Sequence, residues 1–514
     1  MNFNQNSREK NALRTSASGM IQQIVQVVGN FAYRTVFLLF LSKEYLGING
    51  LFTNILQLFS LAELGIGGAI MYSMYKPFAQ QDVPKINALV RFYKQVYTTV
   101  ALVVLALGIA MYPFIGSVVD VSQVPGDVNL TLVYFLFVIQ SVSSYLFVYK
   151  QSVLTADQRA HVVSLFTSGL QVVSIAVRVI VLLVSKNYEL VLFCDILANI
   201  VINWLFSLWI SKKYSDVFRE KNKLEKEEKQ KIYKDTTGLL CHKIGTVIVT
   251  STDNIILSKY VSLAAVGIYS NYATIIVSIT NLAVRVFGGL VPTIANYVLT
   301  KTVDESRRLF QRLLFANLWV ASFTTVCLFL LINPFIELWL DASFLLSQSV
   351  VVWICLQHFL QVSRLTANNF TNGCGLFMKD RVRPVIESVI NLVVSVVLAK
   401  TIGIAGVFIG TCVSGILTYY WREPHLVYKN YFKTGVWEYW LTVFVWVALT
   451  AVLCWAGTAA FACMPGTLWG FMLKVLLAIT LPNLLLLALF FRTDPCRYFL
   501  GFVTRKVQSL RKKS

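Results

Sequence analysis

Five basic side chains fall inside long apolar stretches of the chain: Arg34, Arg178, Lys243, Arg285 and Arg364. On insertion scales a charge at the centre of a hydrocarbon layer costs ~2.5–3.5 kcal/mol, so each needs water, a partner or a ligand. Each also belongs to a polar stripe. Gln23, Gln26, Asn30 and Arg34 follow one another at helical spacing, as do Lys243, Thr246, Thr250 and Asn254. The same spacing links Thr53, Gln57, Ser60, Glu63 and Gly67, and Thr274, Ser278, Asn281, Arg285 and Gly288. Ser164, Ser168, Gln171, Ser174 and Arg178 form another stripe, and Gln357, Gln361, Arg364, Asn368 and Thr371 a further one. A polar face of period 3.6 inside an apolar helix meets protein or water, not lipid. Only Glu63, within a stripe, and Asp253, beside one, stand against the five bases, a surplus of three positive charges. A cationic cavity suits an anionic substrate, and the planar fork of arginine suits phosphate through bidentate charge-assisted bonds.

The chemistry expected is therefore binding. Arg34, Arg178, Arg285, Arg364 and Lys243 are the candidate substrate contacts. Gln26, Asn30, Gln57, Ser60, Ser278 and Asn281 are the candidate polar lining. Glu63 is a candidate ion-pair partner for Arg285, and Asp253 a candidate coupling group, since a desolvated carboxyl holds its proton more tightly. The competing reading gives each arginine a structural carboxylate and makes the stripes helix-to-helix hydrogen bonds. Asp195, Glu387 and Lys474 lie nearer the ends of their stretches and read as interfacial.

These residues need membrane helices to position them. Of 514 residues, 56% are hydrophobic and 14% charged, with mean hydropathy +0.65. Soluble domains carry roughly 25% charged residues. Fourteen helices are expected, at 16–42, 47–75, 91–117, 129–154, 161–185, 190–210, 236–258, 264–298, 307–333, 344–372, 383–400, 403–421, 437–459 and 467–491. A spanning helix takes about 20 apolar residues, so fourteen leave no room for a sizeable catalytic domain outside the membrane. The first apolar stretch is too long for a signal peptide and lacks a small-residue cleavage site, so it reads as a retained span.

The net charge of +20 would suggest nucleic acid in a soluble protein, but the loops explain it. One alternate set of loops and both termini hold 35 Lys and Arg, and the other set holds 4. That asymmetry follows the positive-inside rule and puts both termini in the cytoplasm; no nucleic-acid partner is implied. The charged segment 211–235 reads as a cytoplasmic linker between two halves. Leu46-Gly47-Ile48 precedes Val266-Gly267-Ile268 by 220 residues, and Pro113-Phe114-Ile115 precedes Pro334-Phe335-Ile336 by 221. Two six-helix lobes, 1–210 and 236–421, are thus expected to be related by a parallel repeat, with 437–491 as two appended helices and 492–514 as a basic tail.

Nothing in the sequence favours enzymatic or metal chemistry. Nine cysteines show no metal-ligand spacing. His358 has no carboxylate partner visible, and His161 and His425 read as cytoplasmic. Gly65, Gly67 and Gly68, like Gly288 and Gly289, lie inside helices and form no phosphate loop. Without a P-loop, an ion gradient or the membrane potential is the expected drive. No cofactor is expected.

The stretch 45–77, with Tyr45-Leu46-Gly47, Gly50, Asn54, Glu63-Leu64-Gly65, Ala69 and Tyr72, resembles the second helix of polysaccharide and O-antigen flippases of the Wzx type. The stretch 251–272 is similar to that family's helix 7–8 junction through Asp253, Ile256-Leu257-Ser258, Gly267, Tyr269 and Tyr272. The resemblance places the chain in the multidrug/oligosaccharidyl-lipid/polysaccharide exporter superfamily. It implies an all-α membrane protein with two lobes in a V, as in MATE transporters, in the plasma (inner) membrane. It implies flipping of undecaprenyl-diphosphate-linked oligosaccharide units for O-antigen, capsule or exopolysaccharide by alternating access. The implied partners are that lipid-linked anionic oligosaccharide, membrane lipids, a polysaccharide polymerase and glycosyltransferases.

Three other functions compete. A multidrug or organic-cation antiporter of this architecture would favour an acidic, aromatic cavity, against the cationic surplus. A peptidoglycan-precursor flippase shares the anionic carrier. An integral-membrane glycan polymerase would need a large external loop, whereas 118–128 and 334–343 span about ten residues each.

Overall fold

The computed structural model describes residues 5–63, 66–219, 222–462, 464–465 and 467–501, without the side chains of 5–13, 16, 17, 62, 234–243, 246, 377 and 378. All regular structure among the described residues is helical. Twelve helices are long and apolar enough to cross a membrane, which makes this a multi-pass membrane protein. The other two expected spans are helical but differently built. The second is broken into α2 (Lys43–Phe59) and α3 (Ile66–Gln80) by a 3-10 turn at Ser60–Glu63. There the Ser60 hydroxyl donates to the Gln57 carbonyl at 2.6 Å, a local bond that competes with the helix ladder. The seventh lies in α8 (Lys226–Tyr260), which runs unbroken from the charged linker and carries too many polar residues to qualify by hydropathy.

The chain divides into two compact units, Met1–Gly267 and Ile268–Ser514. The division falls just inside α9 (Leu263–Gly288) rather than in the linker. Consequently α8, placed by sequence in the second lobe, belongs to the first unit, where it packs on α2 and α3.

The first unit also contains α1 (Gln5–Phe40), α4 (Val83–Met111), α5 (Leu130–Ala156), α6 (Ala160–Ser185) and α7 (Tyr188–Lys213). Its outer faces keep apolar groups exposed, as lipid requires, and its interior is aromatic. Phe52 meets Tyr134 and Phe137 edge-on at 5.4 and 5.7 Å between ring centres. Without a hydrophobic drive between helices in lipid, such van der Waals packing carries much of their association.

The second unit holds α10 (Val291–Thr300), α11 (Val303–Trp339), α12 (Gln348–Ser363), α13 (Leu365–Gly373), α14 (Arg383–Ile402), α15 (Ile404–Gly415), α16 (Trp421–Val427), α17 (Trp437–Ala462) and α18 (Leu468–Phe490). The helix expected to end at 421 continues to Phe432. Wide π turns at Ile416–Tyr420 and Tyr428–Phe432 flank α16, which contains Pro424. Proline offers no N–H and its ring crowds the carbonyl four residues back, here that of Tyr420, at the end of the first wide turn. The extension carries Arg422, Glu423 and His425 on helix instead of in a loop.

Candidate functional site

In the first unit the Arg178 guanidinium lies 4.3 Å from the Tyr33 ring centre, and its Nε is 3.7 Å from Asp195 Oδ1. That same oxygen accepts from the Ser174 hydroxyl and from Asn199 Nδ2. Asp195, read from sequence as interfacial by its nearness to a span end, is buried on the α7 face that packs against α6 and pairs with Arg178 there. Arg34 is half-buried on α1; Gln26 is exposed one side of it and Asn30 half-buried.

Glu63 accepts a hydrogen bond from the Tyr97 hydroxyl of α4. Tyr97 in turn meets Tyr93 edge-on at 4.6 Å. Ser60 is half-buried, and Gln57 reaches α8 by donating to Thr250 Oγ1 at 3.5 Å. Next on α8 comes a run of buried polar atoms: Ser251 Oγ, Thr252 Oγ1, Asp253 Oδ1 and Asn254 Oδ1 have no hydrogen-bond partner among the described residues. Buried polar atoms are paired as a rule, and unpaired ones mark functional or strained positions. The side chain of Lys243 lies outside the described residues.

In the second unit Arg364 is held by Glu423, donating from Nε at 3.2 Å to Oε2 and from a terminal nitrogen to Oε1. Its guanidinium carbon is 3.9 Å from the Tyr419 ring centre. Glu423 is fully buried and also receives Asn368 Nδ2 at 3.0 Å, with Arg383 at 3.5 Å. Arg383 bridges further to Asp380 at 2.7 Å and Glu387 at 2.6 Å. Glu387, read from sequence as interfacial, is therefore part of a mostly buried ionic network joining α13, α14 and α16. His358 is buried between two threonines, Thr280 at 2.8 Å from Nδ1 and Thr324 at 2.9 Å from Nε2.

Arg285 differs from all of these. It is exposed on α9 and makes no ion pair or side-chain hydrogen bond among the described residues. Asn281, one turn earlier, is exposed, and Ser278 is half-buried with its hydroxyl donating to the Thr274 carbonyl at 2.7 Å. Sequence reasoning thus missed Glu423, Tyr97 and Tyr419, and did not pair Asp195 with Arg178. Only Asp195 had a local signal, the Asp195–Asn199–Asn203 polar spacing on α7.

Among solved structures, the chain is similar to lipid II flippase MurJ in an inward closed conformation, with 16% identity over 94% of this chain and 98% of that one and a TM-score of 0.63. It is also similar to an inward-facing multidrug resistance MATE family transporter of the MOP superfamily, with 14% identity, 82% and 99% coverage and a TM-score of 0.58. The Vibrio cholerae MATE transporter VcmN, as a mutant, gives 12% identity, 84% and 99% coverage and a TM-score of 0.54. At such identities the likeness establishes the fold. A comparison with curated protein sequences returns no match. The family model described as "Polysaccharide biosynthesis protein" matches residues 9–298, more than half of the chain, and the chain belongs to that family.

Proposed function

We propose that this protein is a flippase that moves a lipid-linked anionic oligosaccharide, carried on undecaprenyl diphosphate, across the plasma membrane by alternating access. The repeat units would serve a surface polysaccharide such as O-antigen, capsule or exopolysaccharide. Both termini face the cytoplasm in this reading, which rests on the loop charges. The observation that carries the substrate class is Arg285. Arg178 and Arg364 are neutralised by carboxylates of their own units, whereas Arg285 is exposed and bears no counter-charge among the described residues. A bare guanidinium on a membrane helix suits a diphosphate and opposes an organic cation.

Family membership and the fold shared with a lipid II flippase support the same reading. Deleting the gene tests it. Surface glycan should disappear while its lipid-linked precursor accumulates on the cytoplasmic leaflet. Intact glycan with reduced drug efflux would favour an antiporter, and arrested peptidoglycan synthesis a precursor flippase for the cell wall.

A further inference from the structure

We propose that the first unit holds the phosphate of an anionic membrane glycerophospholipid in a groove between α4 and the polar beginning of α8. The groove has a volume of ≈ 400 Å³, and its wall combines Lys229 and Tyr233 of α8 with Phe92, Gln95, Thr99 and Val103 of α4. Lys229 Nζ lies 5.7 Å from the Phe92 ring centre, and Tyr233 meets the same ring edge-on at 5.9 Å. Two donors one helical turn apart are thereby fixed above α4.

The Lys229 ammonium, the Gln95 amide and the Tyr233 hydroxyl have no hydrogen-bond or ion-pair partner among the described residues. Of the neighbouring charges, Glu228 is engaged by Lys85, Glu225 and Glu227 are exposed, and Lys94 lies over the Tyr149 ring at 5.9 Å. The groove therefore presents one available cation, two neutral donors and the Thr99 hydroxyl, which itself donates to the Gln95 carbonyl at 3.1 Å. Beyond them Val103 is exposed and offers an apolar rail for an acyl chain. One cation with neutral donors matches a singly charged phosphodiester better than a diphosphate. Lys85, Arg91 and Lys94 cluster at this end of α4, where a basic surface meets anionic headgroups. Assignment to the inner leaflet rests on the orientation proposed above; the binding itself does not.

Native mass spectrometry of the purified full chain in detergent tests this, with dioleoylphosphatidylglycerol and dioleoylphosphatidylcholine as probes. The wild type should retain phosphatidylglycerol in preference. Lys229→Glu should lower that retention roughly fivefold or more, the worth of one lysine at an anionic surface. Gln95→Leu, at an exposed position, should lower it as well and decides the matter should Lys229→Glu fold poorly. Lys223→Glu, exposed on the same linker outside the groove, should leave it unchanged. Equal retention by the wild type and both groove variants, or no preference over phosphatidylcholine, would each overturn the proposal. A failed flippase assignment would appear in the surface glycan and leave this readout untouched.

Discussion

Gly47 and Gly267 meet in a crossing that repeats itself. A Cβ added to Gly47 would lie 2.2 Å from the Leu263 carbonyl oxygen, and one added to Gly267 would lie 2.0 Å from the Lys43 carbonyl oxygen. Lys43 and Leu263 are 220 residues apart, as are Gly47 and Gly267, which is the spacing of the internal repeat. The starts of α2 and α9 therefore touch backbone to backbone through equivalent residues. Only glycine allows that approach.

Alanine at either position must push two backbones apart. Gly47→Ala and Gly267→Ala should each lower thermal stability in detergent, by about 1–3 kcal/mol for an overpacked contact. Gly68 and Gly288 are also 220 residues apart, but a Cβ there meets nothing within 4 Å among the described residues. Gly68→Ala and Gly288→Ala should be neutral or slightly stabilising, since alanine favours helix. Equal loss at all four positions would refute the close-contact account.

Arg364 and Glu423 should behave as a structural pair. Glu423→Ala leaves Arg364 and Arg383 short of a buried counter-charge and should destabilise the second unit by about 3–5 kcal/mol. Arg364→Met combined with Glu423→Leu should recover part of that loss. A double-mutant cycle on melting temperature measures the coupling. Additive effects would mean the pair contributes nothing.

Asp253 predicts the opposite sign. Its carboxylate is buried without a partner for Oδ1 among the described residues, so ionisation there costs free energy that an amide of the same shape avoids. Asp253→Asn should raise or maintain thermal stability. If Asp253 is the coupling group, the variant should also lose any response of transport to an imposed ion gradient. A marked fall in stability would show that the carboxylate has a structural partner.

Orientation is checked by cysteine labelling on a background free of reactive native thiols. Val121, exposed in the loop after α4, should react as cysteine with an impermeant reagent outside intact cells. Lys226→Cys should react only after permeabilisation. The reverse pattern would invert the topology.

The sequence carried the fold because periodicity and repeat are local or one-dimensional signals. Leu46-Gly47-Ile48 and Val266-Gly267-Ile268 mark the repeat, and the polar stripes mark one face on each of six expected helices. What it did not carry was pairing. Glu423 lies 59 residues from Arg364, two residues past the expected helix end at 421, and the chain carries the helix on through Pro424 between wide π turns. Asp195 was read from its distance to a span end, which says nothing about the face it occupies on α7. The break in the second span was hidden because its apolar pattern continues through Ser60–Glu63 while the hydrogen bonding does not.

The most direct measurement is flipping of a fluorescent undecaprenyl-diphosphate oligosaccharide in proteoliposomes containing Arg285 variants. Arg285 is exposed and makes no ion pair among the described residues, so Arg285→Ala should fold and melt like the wild type. The account predicts that Arg285→Ala flips the lipid at least about tenfold more slowly, and that Arg285→Lys retains an intermediate rate because it keeps the charge and loses the fork. Wild-type flipping by a well-folded Arg285→Ala protein would contradict the site, and absence of flipping by the wild type itself would contradict the function.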